Sequence, residues 1–170
     1  MIDFNRLRKL SKDYLIARNN FLKVANATEL LNGNDNIMGR IGEFIALQFL
    51  EYHGRNPRKN ICTSNKGFDI ECGDGSLVSV KMITSENKTK RTSRIKEPWS
   101  ELIVIKLNNL FEVDHLGILT KDQFKKALNE NKNWGKRPYC KLSMLNPNGL
   151  IGKYGVIYNK ESLRDMNVFL

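Results

Sequence analysis

Apolar residues recur along the first part of the chain with a helical period. Leu7, Leu10, Tyr14, Ala17, Phe21 and Val24 follow alternating steps of three and four, which predicts an amphipathic helix over residues 4–25. Its apolar stripe is expected to pack on a core. The opposite face carries Arg6, Arg8, Lys9, Lys12, Arg18 and Lys23. Residues 28–31 suggest a second short helical piece. Asn32-Gly33-Asn34-Asp35-Asn36 then breaks the chain, with Asn36 placed to cap the next helix. That helix, predicted over 37–53, is apolar on nearly every side through Ile37, Ile41, Phe44, Ile45, Leu47, Phe49 and Leu50. Such a helix is expected to be central and buried.

Further along, the pattern becomes that of strands. Residues 68–72 and 77–83 predict a hairpin around the three-residue turn Gly73-Asp74-Gly75. The run Glu101-Leu102-Ile103-Val104-Ile105-Lys106-Leu107 is β-branched in the manner of a core strand, and residues 111–119 follow as another strand after Asn108-Asn109. Thr120-Lys121-Asp122-Gln123 is a capping box, and Phe124, Ala127 and Leu128 mark one face of the helix it opens. From Asn133 onward, turns such as Asn146-Pro147-Asn148-Gly149 mix with short strands, of which 154–158 is the clearest. No internal repeat or domain boundary stands out, so one α/β domain over 1–170 is expected.

Charge changes the picture. Lys and Arg number 28 against 18 Asp and Glu, a formal net charge of +10. An excess this one-sided points to a polyanionic partner, with nucleic acid ahead of a membrane surface. No run of about 18 apolar residues occurs, and Met1-Ile2-Asp3-Phe4-Asn5-Arg6 lacks the layout of a signal peptide. Cys62, Cys72 and Cys140 show no CxxC spacing, and His53 and His115 stand alone. Reduced thiols in a cytoplasmic protein are expected, rather than a zinc site.

The hairpin register sorts the candidate chemistry. A three-residue turn sets Asp69 opposite Ser79 and Glu71 opposite Leu77, and opposed residues share a face. Lys81, two beyond Ser79, joins them. One face then carries Asp69, Glu71, Ser79 and Lys81, while Phe68, Ile70, Cys72, Val78, Val80 and Met82 turn to the core. Glu43 sits in the apolar helix beside Gly39, Gly42 and Ala46. Glycine inside a helix costs about 1 kcal/mol relative to alanine, so two of them beside a glutamate indicate a close approach. A carboxylate in that setting must be paired, hydrogen-bonded or metal-bound. An ion pair with Arg40 or Lys81 is the plain expectation, and a metal site the functional one. Carboxylates are hard oxygen ligands suited to Mg²⁺ or Mn²⁺. A lysine ammonium beside them can orient a water and offset charge growing on a phosphate. Asp69, Glu43 and Lys81 match those needs.

Between Lys81 and the core strand lies Lys88-Thr89-Lys90-Arg91-Thr92-Ser93-Arg94-Ile95-Lys96, with no acid from 87 to 96. Lys88, Lys90, Arg91, Arg94 and Lys96, together with Lys66, are expected to hold phosphates. Trp99, just after this segment, is expected in the core, with a wedge or stacking group as the functional alternative. Arg55, Arg58 and Lys59 around Pro57 form a smaller cluster of little functional weight.

With Gly39-Arg40-Ile41-Gly42-Glu43-Phe44-Ile45-Ala46, the Asp69 strand, Ser79-Val80-Lys81 and the core strand 102–107, the chain resembles the PD-(D/E)xK nuclease superfamily. That is the fold of type II restriction enzymes and archaeal Holliday junction resolvases, and the resemblance spans residues 36–119. It implies an α/β fold with a restriction-endonuclease-like mixed central β-sheet flanked by helices. It also implies Mg²⁺, replaceable by Mn²⁺, bound by Asp69 and the Val80 carbonyl, with Lys81 beside the nucleophile. Two positions depart from the pattern. Phe68 precedes Asp69 in place of proline, as many members tolerate. Ser79 holds the second acidic position, where a serine ligates magnesium poorly. Some restriction enzymes with Ser-x-Lys draw the missing carboxylate from a helix, and Glu43 is the first candidate here, ahead of Glu71, Glu86, Glu97 and Glu101. The implied activity is that of a DNA endonuclease, restriction-like and homodimeric, because duplex cutting usually needs two sites. A junction-resolving or repair nuclease is the alternative within the fold, and a DNA-binding module with a decayed site the alternative outside it. The basic face of the first helix is expected to be either a solvated surface or a DNA-facing arm or dimer seam.

Overall fold

The structure is a computed structural model and describes residues 4–27, 37–60, 67–84, 89–110, 112–131 and 139–168. The long amphipathic segment forms α1 (Phe4–Ala27) and the apolar segment α2 (Ile37–Tyr52). Strands β1 (Arg58–Lys59), β2 (Ile70–Glu71), β3 (Leu77–Ile83), β4 (Arg91–Arg94), β5 (Glu101–Leu107) and β6 (Val113–Thr120) follow. Helix α3 (Lys121–Glu130) opens on the expected capping box. Gln123 N–H donates to Thr120 Oγ1 at 3.2 Å, and Thr120 N–H donates to Gln123 Oε1 at 2.7 Å. Strand β7 (Tyr139–Lys141) runs into a 3-10 turn at Leu142–Leu145, then α4 (Leu150–Tyr154), β8 (Val156–Asn159) and α5 (Lys160–Asp165).

Among the described residues, six strands form one sheet in the order β1-β2-β3-β5-β6-β8. It is mixed, because β3 and β5 run parallel while every other neighbouring pair is antiparallel. A strand buried on both faces needs an unbroken apolar run, and Leu102, Ile103, Val104 and Ile105 give β5 that run, each fully buried. On one face, Ile45, Phe49 and Leu50 of α2 and Leu163 of α5 pack against Val78, Val80, Ile103 and Ile105. On the other, α3, α4 and the 3-10 turn cover Ile83, Leu102 and Val104. Trp99 belongs to that second core, edge-to-face on Phe124 at 5.6 Å, as its packing role predicts. The architecture is therefore α/β, a mixed and mostly antiparallel sheet flanked by helices. No helix among the described residues is long and apolar enough to cross a membrane.

Several segments differ from expectation. Three positions of the α1 stripe do not settle on this chain's core: Tyr14, Ala17 and Val24 are exposed, while Phe21 is half-buried and Ala25 buried. The basic segment 88–96 contains a strand, β4, which pairs with β7. Their separation along the chain leaves no local pattern to announce the pairing. In the tail, α4 and α5 occupy ground expected to hold turns and strands. Helices of 5 and 6 residues are too short to display a period. The strand expected over 154–158 lies at Val156–Asn159. The short helical piece at 28–31, the Asn36 cap and Phe111 fall outside the described residues.

Candidate active site

The β2–β3 hairpin has the expected register, with Ile70 opposite Val78 and Glu71 opposite Leu77. Its turn is pinned from outside by Arg55, whose guanidinium bonds Glu101 at 2.6 Å and Asp74 at 2.8 Å. Charge-assisted pairs of this kind hold geometry well.

At Asp69 the ladder passes from backbone to side chain. Asp69 N–H donates to the Val78 carbonyl at 2.9 Å, and the Asp69 carbonyl accepts from Asn60 N–H at 2.9 Å. Val80 N–H, however, donates to Asp69 Oδ2 at 2.7 Å. A carboxylate oxygen therefore stands where a backbone acceptor would continue the strand, and this is why β2 is shorter than the predicted 68–72. Within a strand, the N–H and C=O of one residue point to the same side. The Val80 carbonyl thus faces the same edge as the Asp69 carboxylate.

Helix α2 brings Glu43 to that edge. A Cβ on Gly42 would stand 3.3 Å from Met82 Cβ and 3.8 Å from Val80 Cγ1. The helix rests on β3 about as closely as a glycine permits, which accounts for a glycine in mid-helix. Glu43, Asp69, Val80 and Lys81 line one open cavity of about 550 Å³, and Arg91, Arg94 and Lys96 form other parts of its wall. Lys96 is held there by backbone contact. A Cβ on Gly67 would lie 1.9 Å from the Lys96 carbonyl oxygen, so only glycine fits beside it.

Burial sets the electrostatics. Desolvation pushes the Glu43 carboxyl above its ordinary value and the charge of Asp69 adds to this, against the pull of Lys59 and Lys81. Desolvation also pushes Asp69 up, while Lys81, the Val80 N–H and Lys59 hold it down. The cation closest to Glu43 is neither Arg40 nor Lys81 but Lys59 of β1, whose Nζ lies 2.9 Å from Glu43 Oε2 with only 7 % of its side chain exposed. Sequence reasoning missed Lys59. A two-residue strand has no alternation to reveal which neighbour turns inward, and only the β1–β2 pairing, Lys59 opposite Ile70, sets it beside Asp69.

Ser79 does not line the cavity. It is 0 % exposed beside its β5 neighbour Leu102, so the hairpin face expected to be polar is covered at this point. Among the described residues its Oγ meets no partner at hydrogen-bond geometry, although it lies near enough to Asp69 to help hold that carboxyl down. An orphaned buried hydroxyl costs stability. Ser79→Ala is expected to stabilise the fold by roughly 1 kcal/mol, visible as a higher melting temperature. Among the other carboxylates considered, Glu101 is taken by Arg55, Glu97 bonds Lys121 at 2.6 Å, and Glu71 is exposed. Lys90 lines a neighbouring cavity with Lys106 and Asn108. Lys66, Lys88 and Glu86 lie outside the described residues.

Among the described residues, no three His, Cys, Asp or Glu side chains gather as a metal cage. Two carboxylates and a strand carbonyl at an open cavity suit instead a hard cation that keeps much of its water, as Mg²⁺ does. Both carboxyls are raised by burial, and a divalent cation would offset their like charge. The residues present therefore fit such an ion. No protein-family model matches the chain, and no match is found among curated proteins.

Proposed function

We propose that this chain is a Mg²⁺-dependent deoxyribonuclease with a restriction-endonuclease-like fold, hydrolysing DNA phosphodiester bonds and acting as a homodimer. The supporting observation is the shared cavity: two half-buried carboxylates and a lysine on one side, Arg91, Arg94 and Lys96 on another. Asp69, Glu43 and the Val80 carbonyl would hold the magnesium ion, which when bound would neutralise charge at a phosphate oxygen and lower the pKa of a water. The remaining roles belong to the chain. Lys81 orients the attacking water and offsets charge growing on the phosphate oxygens. Arg91, Arg94 and Lys96 set positive charge along the path of the DNA, and Lys96 holds a neighbouring phosphate, a contact that carries no sequence information but fixes register. Lys59 favours the charged form of Glu43, against the burial that pushes its carboxyl up. The exposed Tyr14, Ala17 and Val24 of α1 give a second copy an apolar stripe to cover.

Supercoiled, linear and four-way branched DNA incubated with the protein, with and without Mg²⁺, tests this directly. Nicking or linearisation of plasmid only with Mg²⁺ is expected. Preference for the branched substrate would make the protein a junction nuclease of the same fold. A second function, a DNA-binding module without catalysis, draws support from Ser79, buried in the position of the second acid. Binding without cleavage in Mg²⁺ and in Mn²⁺ would establish it.

Salt dependence tests the phosphate contacts. Each neutralised phosphate contributes about 0.9 to the slope of log affinity against log salt on duplex DNA. Replacing Lys88, Lys90, Arg91 and Arg94 together with glutamine is expected to flatten that slope and to reduce cleavage through weaker binding. An unchanged slope would move the DNA-facing surface to the basic side of α1.

A further inference from the structure

The β4–β7 ribbon carries more than phosphate-binding charge. Arg91 pairs with Lys141 and Arg94 with Tyr139, so the register shifts by one residue between the two pairs. Cross-strand partners share a face, and Tyr139 and Lys141, two apart, share one as well. The bulge therefore puts Arg91, Arg94, Tyr139 and Lys141 on a single face. Without it, Arg94 would alternate onto the same side as Thr92. Re-aiming a side chain is what such bulges do beside functional sites. The opposite face is anchored. Cys140 is fully buried in the core with Ile95 and Met144, and its N–H donates to Thr92 Oγ1 at 3.0 Å.

The outward face is cationic around one aromatic ring. The Arg91 guanidinium carbon lies 5.2 Å from the Tyr139 ring centre and Lys141 Nζ 5.7 Å from it, within cation–π range. No acid occurs over 87–96 or over 139–149. Arg91 and Arg94 also line the carboxylate cavity, and Arg91 and Lys141 border an adjoining one of about 380 Å³. A cationic track thus runs from Lys81 onto the ribbon.

We propose that this face reads base edges in the major groove of duplex DNA, with Arg91 and Arg94 as its guanine-seeking side chains; the inference rests on DNA being the substrate proposed above. The major groove, about 12 Å wide, admits a two-stranded β-ribbon. A guanidinium fork matches the O6 and N7 acceptors of guanine, which an ammonium cannot engage in the same planar way. Tyr139 steadies the Arg91 plane, and the anchored Thr92–Cys140 side keeps the ribbon rigid.

Selection of duplexes from a randomised library by gel shift, with the full chain and Ca²⁺ in place of Mg²⁺, tests the proposal. The wild type is expected to enrich a motif containing guanine. Arg94→Lys keeps the charge and loses the fork. It is expected to lose about ten- to hundredfold of the preference at one guanine position, with the salt slope and the melting temperature unchanged. Arg91→Lys should do the same at a neighbouring position. An unaltered motif in both variants overturns the proposal. So does a uniform weakening on all sequences, which marks phosphate contacts alone, and so does a wild type that enriches no motif. Plasmid cutting in Mg²⁺ by the same preparation judges the nuclease separately. Cutting without a motif sinks the ribbon inference and leaves the nuclease standing, and a motif without cutting does the reverse.

Discussion

Asp69→Asn and Lys81→Ala are each expected to reduce Mg²⁺-dependent DNA cleavage at least about a hundredfold, the scale on which single transition-state contacts act. Their effects on the fold should be small. In Asp69→Asn the side-chain oxygen remains to accept the Val80 N–H, which sits 2.7 Å from Asp69 Oδ2. The change removes a charge whose pKa burial has already raised, so folding loses little or gains. Lys81→Ala takes away a cation that offsets both Asp69 and Glu43, and should lower stability modestly. A stable protein with lost turnover is the signature of a metal ligand and a water-orienting charge, not of core packing. Plasmid cleavage rates measured beside melting curves decide the matter. If either variant cuts at the wild-type rate, that residue leaves the assigned site.

How much of this was legible in the sequence depended on whether the signal was local. The hairpin register followed from a turn of fixed length, and it placed Asp69 opposite Ser79 before any fold was considered. The capping box at Thr120 and the run of β5 were equally local. Gly42 beside Glu43 announced a close approach, and β3 is what approaches. What stayed hidden is set by long-range pairing. Lys59 reaches Glu43 only because β1 adds to the edge of β2, far from α2 in the chain. Arg94 turns outward only because β4 is bulged against β7. Ser79 looked like a polar-face residue because alternation says which side a residue takes, not whether another layer covers that side. The same limit applies to α1, where periodicity marked an apolar stripe and gave no sign of what would cover Tyr14 and Val24.

Lys59→Met should leave the cation-free protein less stable and the divalent-metal response larger. Lys59 Nζ sits 2.9 Å from Glu43 Oε2, with 7 % and 20 % of the two side chains exposed. Removing one partner of a fully buried pair costs about 3–5 kcal/mol, because the other charge is left uncompensated. Glu43 retains some contact with water and is also acted on by Lys81, so a loss of about 2 kcal/mol is expected here. For a chain of this size that corresponds to roughly 4–8 °C in melting temperature. Mg²⁺ should then restore much of it. A ligand that binds only the folded state stabilises by mass action, and in the variant the ion no longer competes with an ammonium for the Glu43 carboxylate. The melting shift produced by Mg²⁺ should therefore be larger in Lys59→Met than in the wild type. Glu43→Gln serves as the converse control. It discharges the carboxyl and takes the counter-charge from the more buried Lys59 ammonium, so the cation-free protein should also lose stability, and the Mg²⁺ shift should shrink. Equal Mg²⁺ shifts in the wild type, Lys59→Met and Glu43→Gln would show that Glu43 is not a metal ligand. Glu43 and Lys59 would then be a structural ion pair at the rim of the cavity, and the second carboxylate of the site would have to come from another residue.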